Sequence, residues 1–457
     1  MDTKQLKQRI LDLAIRGKLV PQDPNDEPAS VLLERIRTEK EQLIAQGKLK
    51  KSKTKSSDKP HYENVPFEIP ESWEWVKLGQ LYNAVSAKRV LQAEWQQEGV
   101  PFYRAREIVK LAQYGSVDND LFISEDHYKR LAEAYGIPYP NDIMLSAVGT
   151  IGKSYIVKNS DRFYYKDASV LCLQNIHSSN SMYIQIVLSS QFVQEQMYDK
   201  SKGTTVDTIT IEKVGEYTFP LPPLAEQGRI VEAIKQWFEL IDQLEQNKQD
   251  LQEAIKQTKA KVLDLAIHGK LVPQDQNDEP AIALLRRINP NFKPCDTSHY
   301  ENLPSGWCIC LLEDIIDYEQ PTQYIVASTD YNDEYKTPVL TAGKSFILGY
   351  TNESNGIYNN LPTIIFDDFT TDSRLVDFPF KVKSSAMKIL QVNKGINIQY
   401  VAYFMSITRL AGNTHKRYWI SEYSKIPIPI PPKEEQDRIV QIISKIENKL
   451  DSISAEL

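Results

Sequence analysis

One stretch of the sequence nearly spells a phosphate-binding loop. Ala147-Val-Gly-Thr-Ile-Gly-Lys-Ser154 fits the G-x-x-x-x-G-K-S spacing in which backbone amides cradle a nucleotide's phosphates, except that Ala147 stands where the first glycine belongs. That chemistry also needs a helix to follow with its amide end aimed at the ligand, and Tyr155-Ile-Val157 reads as strand. Nucleotide binding is therefore rejected. Gly149 and Gly152 are expected to turn the chain between two strands, with Lys153 at the tip, where it can meet a phosphate. Cys172, Cys295, Cys308 and Cys310 are too few for a disulfide framework, and Cys308-x-Cys310 lacks the second pair that a zinc site needs. Buried or free thiols are expected. The six histidines are scattered without ligand spacing, and no Asn-Pro-Pro-Tyr-like loop for amino-group methylation occurs. No catalytic or metal-binding constellation stands out.

What does stand out is repetition. Ile10 to Ile36 and Val262 to Ile288 agree at 21 of 27 positions at an offset of 252. Each copy runs through a variable linker into His-Tyr-Glu-Asn (His61 to Asn64, His299 to Asn302) and a proline-tryptophan step at Trp73 and Trp307. A second duplicated element, Pro220 to Val231 and Pro429 to Val440 at an offset of 209, closes the two inserts that these steps open. The joints match while the inserts, about 150 and 120 residues long, resist alignment. Such a chain carries two modules of one kind with different cargo. The stretch from Thr38 to Pro60 carries Lys48, Lys50, Lys51, Lys53, Lys55 and Lys59, and is expected as a solvated tether, with a non-specific phosphate contact as the alternative.

The joints are helical in pattern. Pro222-Pro223 and Pro431-Pro432 stop a strand and suit a helix start, with Glu226 or Glu434 and Glu435 in the first turn to meet the positive helix end. From Ile230 the positions 230, 234, 237, 241, 244, 248, 251, 255, 258, 262 and 265 step by four and three, and nine of the eleven are apolar. Lys248 and Thr258 are the exceptions. This is a left-handed coiled-coil seam closed by Gly269. Ile439, Ile443, Ile446, Leu450, Ile453 and Leu457 repeat the phase, and Leu6, Ile10 and Leu13 with Gly17 continue it at the other terminus. The C-terminal and N-terminal helices are therefore expected to compose a second copy of the central helix, laid antiparallel against it about a pseudo-twofold axis.

The inserts carry strand-like runs at Ile143 to Val148, Ser154 to Val157, Ser169 to Leu173, Thr363 to Phe366 and Ala386 to Leu390, and a helix-like stretch near Ile398 to Leu410. Both read as mixed α/β domains, so the fold class is α+β: two such domains separated by long antiparallel coiled-coil helices in a cyclic repeat. Six segments are expected. Residues 1–36 complete the distal helical repeat, 37–60 form the linker, 61–221 the first domain, 222–297 the central spacer, 298–430 the second domain and 431–457 the terminal spacer. No apolar run approaches a membrane span and no charged-then-apolar leader follows Met1, which places the chain in the cytoplasm.

The proline pair followed by Glu-Gln-x-Arg-Ile-Val (Glu226 to Val231, Glu435 to Val440), the Gly149 to Lys153 turn and the internal duplication resemble the specificity subunits of Type I restriction-modification systems. The resemblance covers nearly the whole chain. Its second insert departs from the pattern where Gly343-Lys344 lacks a second close glycine. The resemblance implies that each insert is a target-recognition domain reading half of a bipartite double-stranded DNA site. It implies a non-catalytic subunit whose helices, through Ile230, Ile234, Ile241, Leu244, Ile439, Ile443 and Leu450, dock two methyltransferase subunits, with restriction subunits joining later. S-adenosylmethionine, ATP and Mg would then belong to those partners. The net charge of -7, with 15 basic against 20 acidic side chains in residues 61–220, requires any positive surface to be local. Candidate DNA contacts are Lys88, Arg89, Arg104, Arg106 and Lys153 in the first domain and Lys344, Arg374, Lys416, Arg417 and Tyr418 in the second. The alternative is a stand-alone two-site DNA-binding or bridging protein whose coiled coil only dimerises.

Overall fold

The computed structural model describes residues 2–47, 66–175, 179–201, 207–295, 300, 302–342, 345–410 and 417–457. The lysines from Lys48 to Lys59, the His61 to Asn64 step, Lys344 and Lys416 lie outside the described residues. The chain forms two compact units, Met1–Gln246 and Asn247–Leu457.

The first unit opens with α1 (Thr3–Ile15), which Asp2 caps, and α2 (Ala29–Ala45). The insert follows as β1 (Glu74–Lys77), α3 (Leu78–Leu81), β2 (Asn83–Ser86), β3 (Val100–Tyr103), α4 (Ala105–Tyr114), β4 (Phe122–Ile123) and α5 (Glu125–Tyr135). It continues as β5 (Ile143–Ser146), β6 (Ser154–Ile156), β7 (Tyr164–Tyr165), β8 (Val170–Gln174), α6 (Ser181–Ser189), α7 (Gln191–Ser201), α8 (Ile211–Gly215) and β9 (Thr218–Leu221). Next comes α9 (Leu224–Ile267), a helix of 44 residues whose second half belongs to the other unit. The second unit continues with α10 (Ala281–Ile288), β10 (Cys308–Leu311), β11 (Ile316–Glu319), β12 (Thr337–Leu340), β13 (Ile347–Thr351) and β14 (Thr363–Asp367). It ends with β15 (Ser373–Val376), β16 (Lys381–Val382), β17 (Met387–Val392), α11 (Ile398–Ile407), β18 (Pro427–Ile430) and α12 (Lys433–Glu456). Both long helices start directly after the proline pairs, with acidic residues in their first turns.

The two inserts share one topology. Each has a four-stranded antiparallel sheet, ordered β2-β8-β5-β6 in one and β11-β17-β14-β15 in the other. Each has a three-stranded sheet, β4-β3-β7 and β13-β12-β16, whose last pair is parallel. Each is closed where the entering strand meets the leaving one, β1 with β9 and β10 with β18. Strand order also relocates the counterpart of the glycine turn. Gly149 (φ 76) and Gly152 (φ 78) turn β5 into β6, and the matching turn of the second unit is Asp367 to Asp372, with Thr371 at φ 58. Gly343-Lys344 lies outside the described residues and comes after β12 only in the sequence. The Gly-Lys pair drew the eye in the sequence, but place in a sheet is set by pairing. The two turns are fastened alike, since Ile209 N–H donates to the Ala147 carbonyl at 2.8 Å and Tyr418 N–H to the Asp368 carbonyl at 2.9 Å.

The long helix departs from its expected seam. Ile230, Ile234, Ile241, Ile255 and Val262 are buried, but Trp237, Leu244 and Leu251 are 50%, 45% and 40% exposed. In the first unit α1 covers α9 antiparallel, with Lys7 on Asp242 at 2.5 Å and the Thr3 hydroxyl on Glu245 at 3.3 Å. In the second, α12 runs antiparallel to the rest of α9, with Lys259 on Asp451 at 2.5 Å and Lys248 donating to the Leu457 carbonyl. A single covering helix shields the column of Ile234, Ile241, Ile255 and Val262, while the other column, buried at Ile230, faces outward from Trp237 to Leu251.

Candidate nucleic-acid interface

Each unit is built around a buried carboxylate at the start of its long helix. Glu226 is 1% exposed; its carboxylate accepts from the Trp73 indole at 2.9 Å and from the Gln22 amide at 2.6 Å. Glu435 repeats the arrangement with Trp307 at 3.0 Å and Gln274 at 2.8 Å. One turn on, Arg229 meets Asp26 and Arg438 meets Asp278, both at 2.5 Å. Gln227 and Gln436 donate back to the carbonyls of Pro222 and Pro431, both at 2.9 Å. Gly17 (φ 67) and Gly269 (φ 64) end the preceding helices, where a side chain would collide with the rings of Pro70 and Pro304. The duplicated sequence is thus a joint that gathers four segments: a helix end, the loop after it, the entry to an insert and the exit from it. Burial pushes the Glu226 and Glu435 carboxyls up, and the bonds from Trp and Gln oppose that rise. The repeat carried the signal for this joint, but only the fold reveals its wiring.

The candidate contacts of the first insert fall into two groups. Lys88, Arg89 and Lys153 are exposed, and Lys88 Nζ lies 5.3 Å from the centre of the Tyr135 ring. Arg104 and Arg106 are instead turned onto carboxylates. Arg104 holds Glu107 at 3.0 Å and Asp120 at 2.7 Å, and Arg106 binds Glu107 and also Asp120 at 2.6 Å. Burial would raise the Glu107 carboxyl, but the bonds from Arg104 and Arg106 outweigh it and hold the group below the usual range. These two arginines are counter-charges for a carboxylate that is 1% exposed, although Arg106 itself is 53% exposed.

In the second insert Arg374 is exposed on β15 with its guanidinium 5.2 Å from the Phe346 ring, and Arg417 is exposed. Tyr418 is 4% exposed and packed in the core beside Trp419 and Tyr423. The physical reason is Asp368, which accepts from the backbone of both Tyr418 and Trp419 and pulls the segment inward. Asp368 is itself held by Lys388 at 3.3 Å, an ion pair buried at 1% to 3% side-chain exposure that no sequence pattern announced.

The seam residues expected to dock partners are mostly occupied. Ile230, Ile234, Ile241, Ile439 and Ile443 lie in the chain's own cores, Leu450 is half-buried, and Leu244 alone of that set is exposed. The outward column holds Trp237, Leu240 and Leu244 in the first unit and Leu251 in the second. Ile453, the counterpart of Leu244 at the offset of 209, is also exposed, at 44%. The four cysteines carry no disulfide, and burial pushes the Cys172 and Cys310 thiols well up. Among the described residues no group of three or more His, Cys, Asp or Glu converges as a metal site, and no helix is long and apolar enough to cross a membrane.

The family model described as Type I restriction modification DNA specificity domain matches residues 70–253 and 304–457. Among curated proteins, the chain is 51% identical to the Escherichia coli EcoR124I/EcoR124II specificity subunit over 32% of this chain and 38% of that one. It is 25% identical to the E. coli EcoAI specificity subunit over 97% of this chain and 88% of that one. To the E. coli EcoEI specificity subunit it is 31% identical, over 68% and 62%. Its fold resembles that of the HsdS subunit from Thermoanaerobacter tengcongensis, with a TM-score of 0.52 at 15% identity over 86% of this chain and 93% of that one. A chain from a structural study of complex assembly in the type I R-M system gives a TM-score of 0.57 at 15% identity over 86% and 94%. Two matched segments, each ending in one of the long helices, account for most of the sequence, and the chain belongs to the family of Type I restriction-modification DNA specificity proteins.

Proposed function

We propose that this chain is the non-catalytic subunit that tells a Type I restriction-modification complex which DNA to modify, each insert reading one half of a bipartite duplex site. The observation that carries this reading is the pairing of repeated joints with inserts of one topology and unlike sequence. Two readers of common build and different surface suit two different half-sites. Lys88, Arg89 and Lys153 in one insert and Arg374 and Arg417 in the other are the described candidates that are exposed and hold no carboxylate, and Arg106 is exposed but paired with Glu107 and Asp120. Lys344 and Lys416 join them as proposals from the sequence.

The outward column of α9, with Trp237, Leu240 and Leu244, is the docking face for a methyltransferase subunit, and Ile453 marks the related face on α12. Exposed apolar side chains at helical spacing are the anchors that helix-in-groove association uses. Two methyltransferase subunits, one for each repeat, and restriction subunits complete the complex in the cytoplasm. S-adenosylmethionine, ATP and Mg sit on those partners, and this chain binds none of them. Sequencing the methylome of the host with and without the gene tests the reading. A two-part methylated motif that vanishes on deletion supports it, and an unchanged methylome refutes it.

A further inference from the structure

The strand registers of the two three-stranded sheets superpose residue by residue, and they expose a matched pair of lysines that the sequence did not single out. In the first insert Pro101 pairs with Phe122 of β4, and Gln96 N–H donates to the Phe122 carbonyl at 2.8 Å. In the second, Pro338 pairs with Tyr350 of β13, and Asn332 N–H donates to the Tyr350 carbonyl at 3.1 Å. Trp95 and Tyr331, the residues just before these donors, are therefore equivalent. On the opposite side of each central strand, Tyr103 is level with Tyr165 and Leu340 with Val382 in the parallel pairs. The next residue is a lysine in both. Lys166 N–H donates to the Tyr103 carbonyl at 2.8 Å, and Lys383 N–H donates to the Leu340 carbonyl at 3.1 Å. Each lysine lies over its unit's equivalent aromatic ring, Lys166 Nζ at 6.0 Å from the Trp95 centre and Lys383 Nζ at 5.9 Å from Tyr331.

Two further features repeat. The Trp95 indole nitrogen and the Tyr331 hydroxyl are each buried without a hydrogen-bond partner, so both rings are held in place at a cost. Neither lysine has a carboxylate partner among the described residues, whereas Arg104, Arg106, Arg229, Arg438, Lys381 and Lys388 all do. Lys383 is exposed and Lys166 partly so.

We infer that Lys166 and Lys383 are equivalent phosphate contacts, one in each insert, which clamp the DNA backbone at both half-sites. The inference rests on the reading of the chain as a DNA-recognition subunit. It follows from what the inserts share. Their sequences diverge, yet the same cation stands on the same kind of ring at the same register. A side chain that read a base would differ between readers of different half-sites, so the conserved geometry answers to the one feature every duplex offers, its phosphates. A lysine suits that task, being a compact charge on a flexible stem, here with its ammonium over the aromatic ring.

The experiment measures binding of the complete complex with its methyltransferase partners to two duplexes of equal length, one carrying the methylated motif and one scrambled, across roughly 50 to 200 mM salt. Lys166→Ala and Lys383→Ala should each reduce the slope of log affinity against log salt by about 0.9 on both duplexes, equivalent to about a threefold to fourfold smaller fall over that salt range. The double variant should lose about twice as much, Lys166→Arg and Lys383→Arg should restore the slope, and Lys110→Ala on α4 should leave it unchanged. An unaltered slope in the alanine variants overturns the inference. So does a loss confined to the motif duplex with a relaxed methylation pattern, which would make the lysine a base reader. If the wild-type complex fails to distinguish the two duplexes, the recognition reading falls instead, and the slopes on scrambled DNA still report the contact.

Discussion

Glu226 and Glu107 are both buried carboxylates at 1% exposure, and they respond to acid in opposite senses. Burial raises the Glu226 carboxyl, so its contribution to stability is complete below the ordinary carboxyl range near about pH 4.3 and is lost as pH climbs through the folded value. Glu107 is held low against burial by Arg104 and Arg106, so its contribution is present above that range and lost as pH falls through the folded value. Thermal midpoints followed from neutral pH down to roughly pH 2 should therefore show Glu226→Gln removing a gain on acidification and Glu107→Gln removing a loss. The same direction in both variants would contradict these assignments. Glu226→Ala should be the more damaging change at neutral pH, because it strands the buried Trp73 N–H, at about 1–3 kcal/mol.

At the scale of elements, α9 separates its two columns by role. Leu244→Asp and Trp237→Ala should weaken capture of the methyltransferase subunit at least tenfold in a pull-down or titration while leaving the thermal midpoint of the chain within experimental error, since both side chains are exposed. Ile241→Asp, in the buried column, should unfold the unit. If Leu244→Asp binds as wild type does, the outward column is not the docking face. A four-residue insertion beside Lys248 lengthens the helix by roughly 6 Å and turns it by about forty degrees. The unread gap between half-sites, mapped by methylation, should grow by one or two base pairs, because DNA rises about 3.4 Å per pair. The helices were legible because the joints keep constant offsets of 252 and 209, and because capping and proline chemistry is local. The inserts were not. The offset between equivalent residues drifts from 237 at Pro101 and Pro338, to 228 at Phe122 and Tyr350, to 217 at Lys166 and Lys383. Strand pairing tolerates such insertions between strands, and a fixed-offset comparison does not. The burial of Tyr418 was hidden for a related reason, since the Asp368 carbonyl that draws its segment inward lies fifty residues away in sequence.

At the scale of the whole molecule, a net charge of -7 sits with DNA recognition only if the positive surface is sparse and placed. Glu107, Asp368 and Asp26 draw many of the cations into pairs, and a few remain for the duplex. The purified chain alone should transfer no methyl group from S-adenosylmethionine to DNA. Methylation by the chain without partners would contradict its non-catalytic role. The central claim is that two separate readers hang on common joints. It is tested most directly by exchanging residues 70–220 for the matching segment of a relative with a different target and mapping the methylated motif in the host. One half of the motif should change to the relative's while the other half stays fixed. A change in both halves, or in neither, would contradict the account.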